Sequence, residues 1–83
     1  MSRPPTPLQR RLARLLREVR TARGLSQEAL ADRAKVHRTY VGLLERAERE
    51  PRLSNLARLL AVLGLSWEEF GRLLDVSATD RRR

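Results

Sequence analysis

Apolar residues recur along this chain at the three-and-four spacing of an α-helix, and prolines, glycines and capping residues divide the pattern into five segments. In the first, Leu8, Leu12, Leu15, Leu16 and Val19 share one face of a helix reaching about Ala22, while Arg10, Arg14 and Arg17 hold the other face. Thr6, Pro7 and Gln9 supply an N-cap, a proline at the first helical position and a capping-box glutamine, and Gly24 supplies a left-handed stop. Ser26 caps a second, short helix in which Leu30 and Ala34 lie one turn apart, ending at about Ala34. After the break at Lys35, Val36 and His37, the residues Val41 and Leu44 mark the buried stripe of a third helix over 38–45. Leu53, Leu56, Leu59, Leu60 and Leu63 form the stripe of a fourth, which Gly64 ends. Ser66 and Glu69 make a capping box for a fifth, flanked by a Leu65–Phe70 staple, with Trp67, Phe70, Leu73 and Leu74 on one side.

Two short helices over 26–45 joined by a tight turn make a helix-turn-helix. Ala31 is small where the two backbones must come closest, and Val36 plugs the corner. The expected fold is all-α, a compact five-helix bundle containing that motif, with no strands. Residues 1–5, with Pro4 and Pro5, are expected to be a flexible N-terminal arm, 6–76 the folded domain, and 77–83 a disordered basic tail.

Stepping about 100° per residue from His37 sends Val41 and Leu44 inward and turns Thr39, Gly42, Leu43 and Arg46 outward, with Arg38 on the flank. A helix fits the major groove, where Arg38 can bond guanine through two hydrogen bonds and Thr39 can offer its hydroxyl or methyl group. Gly42 would allow close backbone approach. Leu43 is either a contact for a thymine methyl or a residue packed under the next loop. Arg49 and Arg52, in the charged connector 47–52, are candidates for phosphate contact or for a solvated loop.

Charge changes the picture toward a polyanion. The 83 residues carry a net charge of +8, and all but one of the 18 basic side chains are arginine, whose planar donors suit phosphate and guanine. The inventory for catalysis is poor. There is no cysteine, and His37 is the lone histidine, too few ligands for a usual zinc site and better suited to capping or flanking the third helix. Glu68 and Glu69 point in different directions, and no glycine-rich phosphate loop occurs. No apolar run reaches the length of a membrane span, and the first residues lack a signal-peptide core. The expectation is a cytoplasmic protein with no enzymatic activity, cofactor, metal, small-molecule ligand or membrane partner.

The string Gly-Leu-Ser-Gln-Glu-x-Leu-Ala, followed by Arg-Thr-Tyr-Val, Leu-Glu-Arg and proline, resembles the Xre or Cro/repressor-type helix-turn-helix regulators. Its Arg-Thr-Tyr element is most similar to the controller proteins of restriction-modification systems, and the likeness covers roughly residues 12–74. The resemblance implies a lambda-repressor-like domain that binds double-stranded DNA and regulates transcription. It implies base readout by Arg38 and Thr39, support from Tyr40 and Arg46, and a phosphate contact at Gln27, although a lone tyrosine also serves as a core lid. It further implies a structural ion pair between Arg20 and Glu45. Lys35 and Ala47 stand where the family usually has glycine, so both turns are expected to be shaped differently here. One such domain reads few base pairs, so a homodimer on a palindromic operator is expected, with Trp67, Phe70, Leu73 and Leu74 as its interface or else as closure of the monomer core. The rival readings are a protein-interaction module of the same fold, an antitoxin or coactivator, and RNA or nonspecific polyanion binding through arginine alone.

Overall fold

Among the described residues, five helices follow one another in the computed structural model: α1 Pro7–Ala22, α2 Gln27–Ala34, α3 Arg38–Glu45, α4 Leu53–Leu63 and α5 Trp67–Arg81. The structure describes residues 3–81, with side chains as far as residue 75. No strand occurs among the described residues. The capping chemistry operates as the sequence predicts. Thr6 Oγ1 accepts from the Gln9 N–H at 3.1 Å while Gln9 Oε1 accepts from the Thr6 N–H at 3.0 Å. Ser66 and Glu69 repeat the reciprocal arrangement at the start of α5, and Ser26 caps α2 through the Ala29 N–H.

The helices close over two adjoining clusters. One joins Leu16 of α1, Leu30, Ala31 and Ala34 of α2, Val41 and Leu44 of α3, and Leu59 and Leu63 of α4. The other joins Leu15, Leu56, Leu60 and Phe70, and Leu12, Val19 and Leu65 pack against both. Each fully buried leucine contributes about 1.5–3 kcal/mol of apolar transfer. The outcome is that the inner stripe of α3 is sealed in the core while Arg38 and Thr39 are left to solvent.

Four turns end in the same way. Leu25, Val36, Glu48 and Leu65 each donate a backbone N–H five residues back, to Arg20, Ala31, Leu43 and Leu60, the closure of a Schellman motif. The residue before each donor is left-handed: Gly24 at φ 72°, Lys35 at 61°, Ala47 at 57° and Gly64 at 74°. The turns at Lys35 and Ala47 therefore keep the glycine-type geometry, against the expectation of altered shape. Hydrogen-bond closure and the docking of Val36 on the core outweigh a left-handed penalty of roughly 1–2 kcal/mol.

Other departures are local. Leu8 and Leu53 have the period of the apolar stripes but are 51% and 73% exposed. Both stand in the first turn of their helices, beyond the packed centre. The backbone of α5 stays helical to Arg81, past the end expected near residue 76. The expected disordered tail thus begins inside a helix, and its last two residues and its side chains lie outside the described residues. No helix of the described residues is long and apolar enough to cross a membrane.

Candidate nucleic-acid interface

The recognition surface depends on how α3 is started, oriented and anchored. His37 is its N-cap: Nδ1 accepts from the Thr39 N–H at 3.1 Å, which places the ring hydrogen on Nε2. That bond satisfies one of the unpaired amides of the first turn and fixes the backbone that carries Arg38 and Thr39. Val41 and Leu44 are each 2% exposed, whereas Arg38 and Thr39 are open to solvent. The Arg38 side chain is 72% exposed and reaches no nearer than 3.9 Å to the Glu28 carboxylate, a surface pairing of little energy. Arg38 is thus available to a partner.

Beneath this face lies a buried polar hub. Arg20 Nε and Nη2 donate to Glu45 Oε2 and Oε1 at 2.6 and 3.0 Å, and Nη1 donates to the Leu25 carbonyl at 2.7 Å. The two side chains are 11% and 3% exposed. The hydrogen bonding of Arg20 to the Glu45 carboxylate raises the pKa of the guanidinium further, outweighing the opposing effect of burial. This is the ion pair implied by the resemblance, and it clamps α1 to the end of α3. Gln27 joins it: its Nε2 donates to Glu45 Oε1 at 3.0 Å. The amide expected to face phosphate therefore has one hand already inside the protein. Nothing in the sequence pattern signals that contact.

Gly42 faces the outer side of α3, as the helical wheel expects, but it is buried there because Arg46 folds back over it. A Cβ at Gly42 would lie 3.0 Å from Arg46 Nη1 and 3.5 Å from Gln27 Oε1. The missing side chain makes room for the guanidinium, which otherwise anchors through Nε to Glu48 Oε2 at 3.2 Å. Gln27, Glu28, Arg38, Thr39, Gly42 and Arg46 line one open depression. It joins the N-terminus of α2 to the outer face of α3.

The remaining expected site residues divide between surface and support. Tyr40 is half-buried against the core, and its hydroxyl accepts from the Arg52 N–H at 3.1 Å, tying α3 to the start of α4. Leu43 is half-buried, while Arg49 and Arg52 are exposed in the connector. On α5, Phe70 is 6% exposed and belongs to the monomer core, where Leu74 also packs. Trp67 stacks edge-on against Phe70, centroids 6.4 Å apart, and stays 49% exposed, as Leu73 does at 39%. The outward apolar surface of α5 is therefore smaller than its four-residue stripe suggested, because half of that stripe is needed to close the bundle. Sequence reasoning also passed over a second depression, between α1 and the end of α3, bordered by Arg10, Arg14, Arg17 and Arg46. Its signal was the arginine row on the polar face of α1. Among the described residues no group of histidine, cysteine or carboxylate side chains is placed to hold a metal ion.

Comparison with known proteins bears on the same surface. A family model described as helix-turn-helix, HTH_3, matches residues 16–79. The chain is similar to the control protein C.SmaI of Serratia marcescens, 46% identical over 55 residues that span 66% of this chain and 66% of that protein. It is similar in structure to the restriction-modification controller protein C.AhdI of Aeromonas hydrophila, with a TM-score of 0.70 and 39% identity over 80% of this chain and 94% of that one. A third likeness is to the restriction-modification controller protein C.Esp1396I as a tetramer in complex with its natural 35 base-pair operator, with a TM-score of 0.78 and 26% identity over 83% of this chain and 91% of that one.

Proposed function

The chain belongs to the helix-turn-helix family, beside the controller proteins of restriction-modification systems, and from that premise we propose how it reads DNA. It is a DNA-binding transcription regulator. α3 enters the major groove, Arg38 and Thr39 meet base edges, and the remaining contacts position the helix on the backbone. The observation that carries this reading is the division of α3 itself, with Val41 and Leu44 sealed in the core and Arg38 standing 72% exposed on the convex side. A two-bond contact from Arg38 to guanine contributes about 1–3 kcal/mol of discrimination.

Supporting roles follow from position. His37 sets the start of α3, Gln27 and Arg46 hold the phosphates at the rim, and Arg49 and Arg52 grip the backbone beside the connector. Tyr40 and Leu43 sit at the edge of the surface and contribute mainly through packing. The helical unit runs from Pro7 to Arg81, and it acts by binding DNA, without a catalytic step of its own. Its target puts it in the cytoplasm.

Two copies act together. Half-sites one turn of duplex apart are separated by about 34–36 Å. A pair joined through Trp67 and Leu73 would present two α3 helices to successive turns of one palindromic site. Selection of duplexes from a random pool at two salt concentrations tests the proposal. A two-fold symmetric site is expected, with affinity falling as salt rises. Recovery of duplexes without any shared sequence would defeat it.

A further inference from the structure

We propose that the arginine row of α1 is a second DNA-backbone contact, which carries the surface of α3 onto the phosphates flanking its groove. This rests on the proposal that α3 reads duplex DNA. Arg10, Arg14 and Arg17 are four and three residues apart, so they stand in line on α1, away from Leu12, Leu16 and Val19. All three are exposed. The ion pairs among the described residues, Arg20–Glu45, Arg38–Glu28 and Arg46–Glu48, use none of them. A row of uncompensated like charges disfavours the helix that bears it, and a polyanion laid along it removes that cost.

The row borders an open groove of about 340 Å³ floored by Ala13, with Glu45, Arg46 and Ala47 as the far wall. Ala13 is small and 4% exposed, which keeps the floor low. Glu45 does not oppose an anion there, because Arg20 and Gln27 hold its carboxylate. Arg46 lines both this groove and the depression in front of α3, so the two cationic surfaces are continuous. From Arg10 to Arg17 is about 10 Å along the helix, the axial length of about three phosphates on one strand. Guanidinium groups at that spacing suit a phosphodiester strand, and Arg46, shared by the two depressions, links this row to the surface that carries Arg38.

The test compares wild type with the triple variant Arg10→Ala, Arg14→Ala, Arg17→Ala on the duplex that wild type selects from random DNA. The duplex is used with about one helical turn of flank on each side and again trimmed to the selected bases. Per bound copy, the slope of log K against log salt should become shallower by about 2 to 3 on the long duplex. The advantage of wild type then shrinks roughly 40-fold between 50 and 200 mM salt. The ranking of base substitutions should stay the same, and trimming should bring the two proteins together. A second triple, Arg33→Ala, Arg58→Ala, Arg72→Ala, removes equal charge from exposed positions elsewhere and should move the slope by less than about 1. An unchanged slope in the α1 variant, or an equal fall in the second triple, overturns the inference. Should the α1 triple melt early, Arg14→Ala alone carries the test, with an expected slope change of about 0.9. A wild type that selects no sequence would instead sink the reading of α3, so the two failures are separable.

Discussion

Arg20→Leu is the most exacting perturbation of the scaffold, because it removes a guanidinium that makes three hydrogen bonds at 2.6–3.0 Å. The substitution leaves the Glu45 carboxylate, 3% exposed, with only the Gln27 amide as a donor. An unpaired buried charge costs about 3–5 kcal/mol, and the lost bond to the Leu25 carbonyl adds about 1 kcal/mol. The leucine returns some apolar packing, so a net loss of about 3–4 kcal/mol is expected. In a domain of this size that lowers Tm by roughly 15–25 °C. Thermal and urea unfolding of Arg20→Leu, Glu45→Met and the double variant form the assay. The double variant should recover to within about 1–2 kcal/mol of wild type, since apolar replacement of both partners leaves no charge stranded. If either single change cost less than about 1 kcal/mol, or if the double loss equalled the sum of the singles, the hub would not be the desolvated clamp described here.

Other expectations address caps, turns and association. Lys35→Gly and Ala47→Gly each relieve a left-handed residue and should stabilise by about 0.5–1 kcal/mol, the strain relieved exceeding the entropy that glycine adds to the unfolded chain; urea midpoints with unchanged m-values check this. His37→Ala removes the acceptor for the Thr39 N–H and should cost about 1 kcal/mol and weaken all duplexes alike, whereas His37→Ser should keep the cap; melting and gel-shift titrations read both effects. Trp67→Asp with Leu73→Asp changes two exposed side chains, so the fold should survive while sedimentation shows a monomer; a dimer of undiminished affinity would remove α5 from the interface.

The sequence was most legible where structure is local. Stripes at three-and-four spacing and the boxes at Thr6 and Ser66 lie within one or two helical turns, and those elements formed as expected. What escaped depends on approach between distant segments. Gln27 meets Glu45 across 18 residues, Tyr40 meets Arg52 across 12, and Arg23 meets the Leu63 carbonyl across 40. A helical wheel puts Gly42 outside because it lies opposite Val41 and Leu44, yet it cannot see Arg46 folding over from one turn ahead. The same wheel gives Leu8 and Leu53 the correct period but cannot show that the core ends before it reaches them. The Arg20–Glu45 pair lies 25 residues apart and was reached through family resemblance, not through spacing.

Presentation of Arg38 to a base edge by α3 is measured by binding wild type and Arg38→Ala to a library of every single-base change in the selected site. Arg38→Ala should lose about 1–3 kcal/mol of discrimination at one base-pair position in each half-site, with preferences elsewhere unchanged. Identical preference profiles for the two proteins would contradict it.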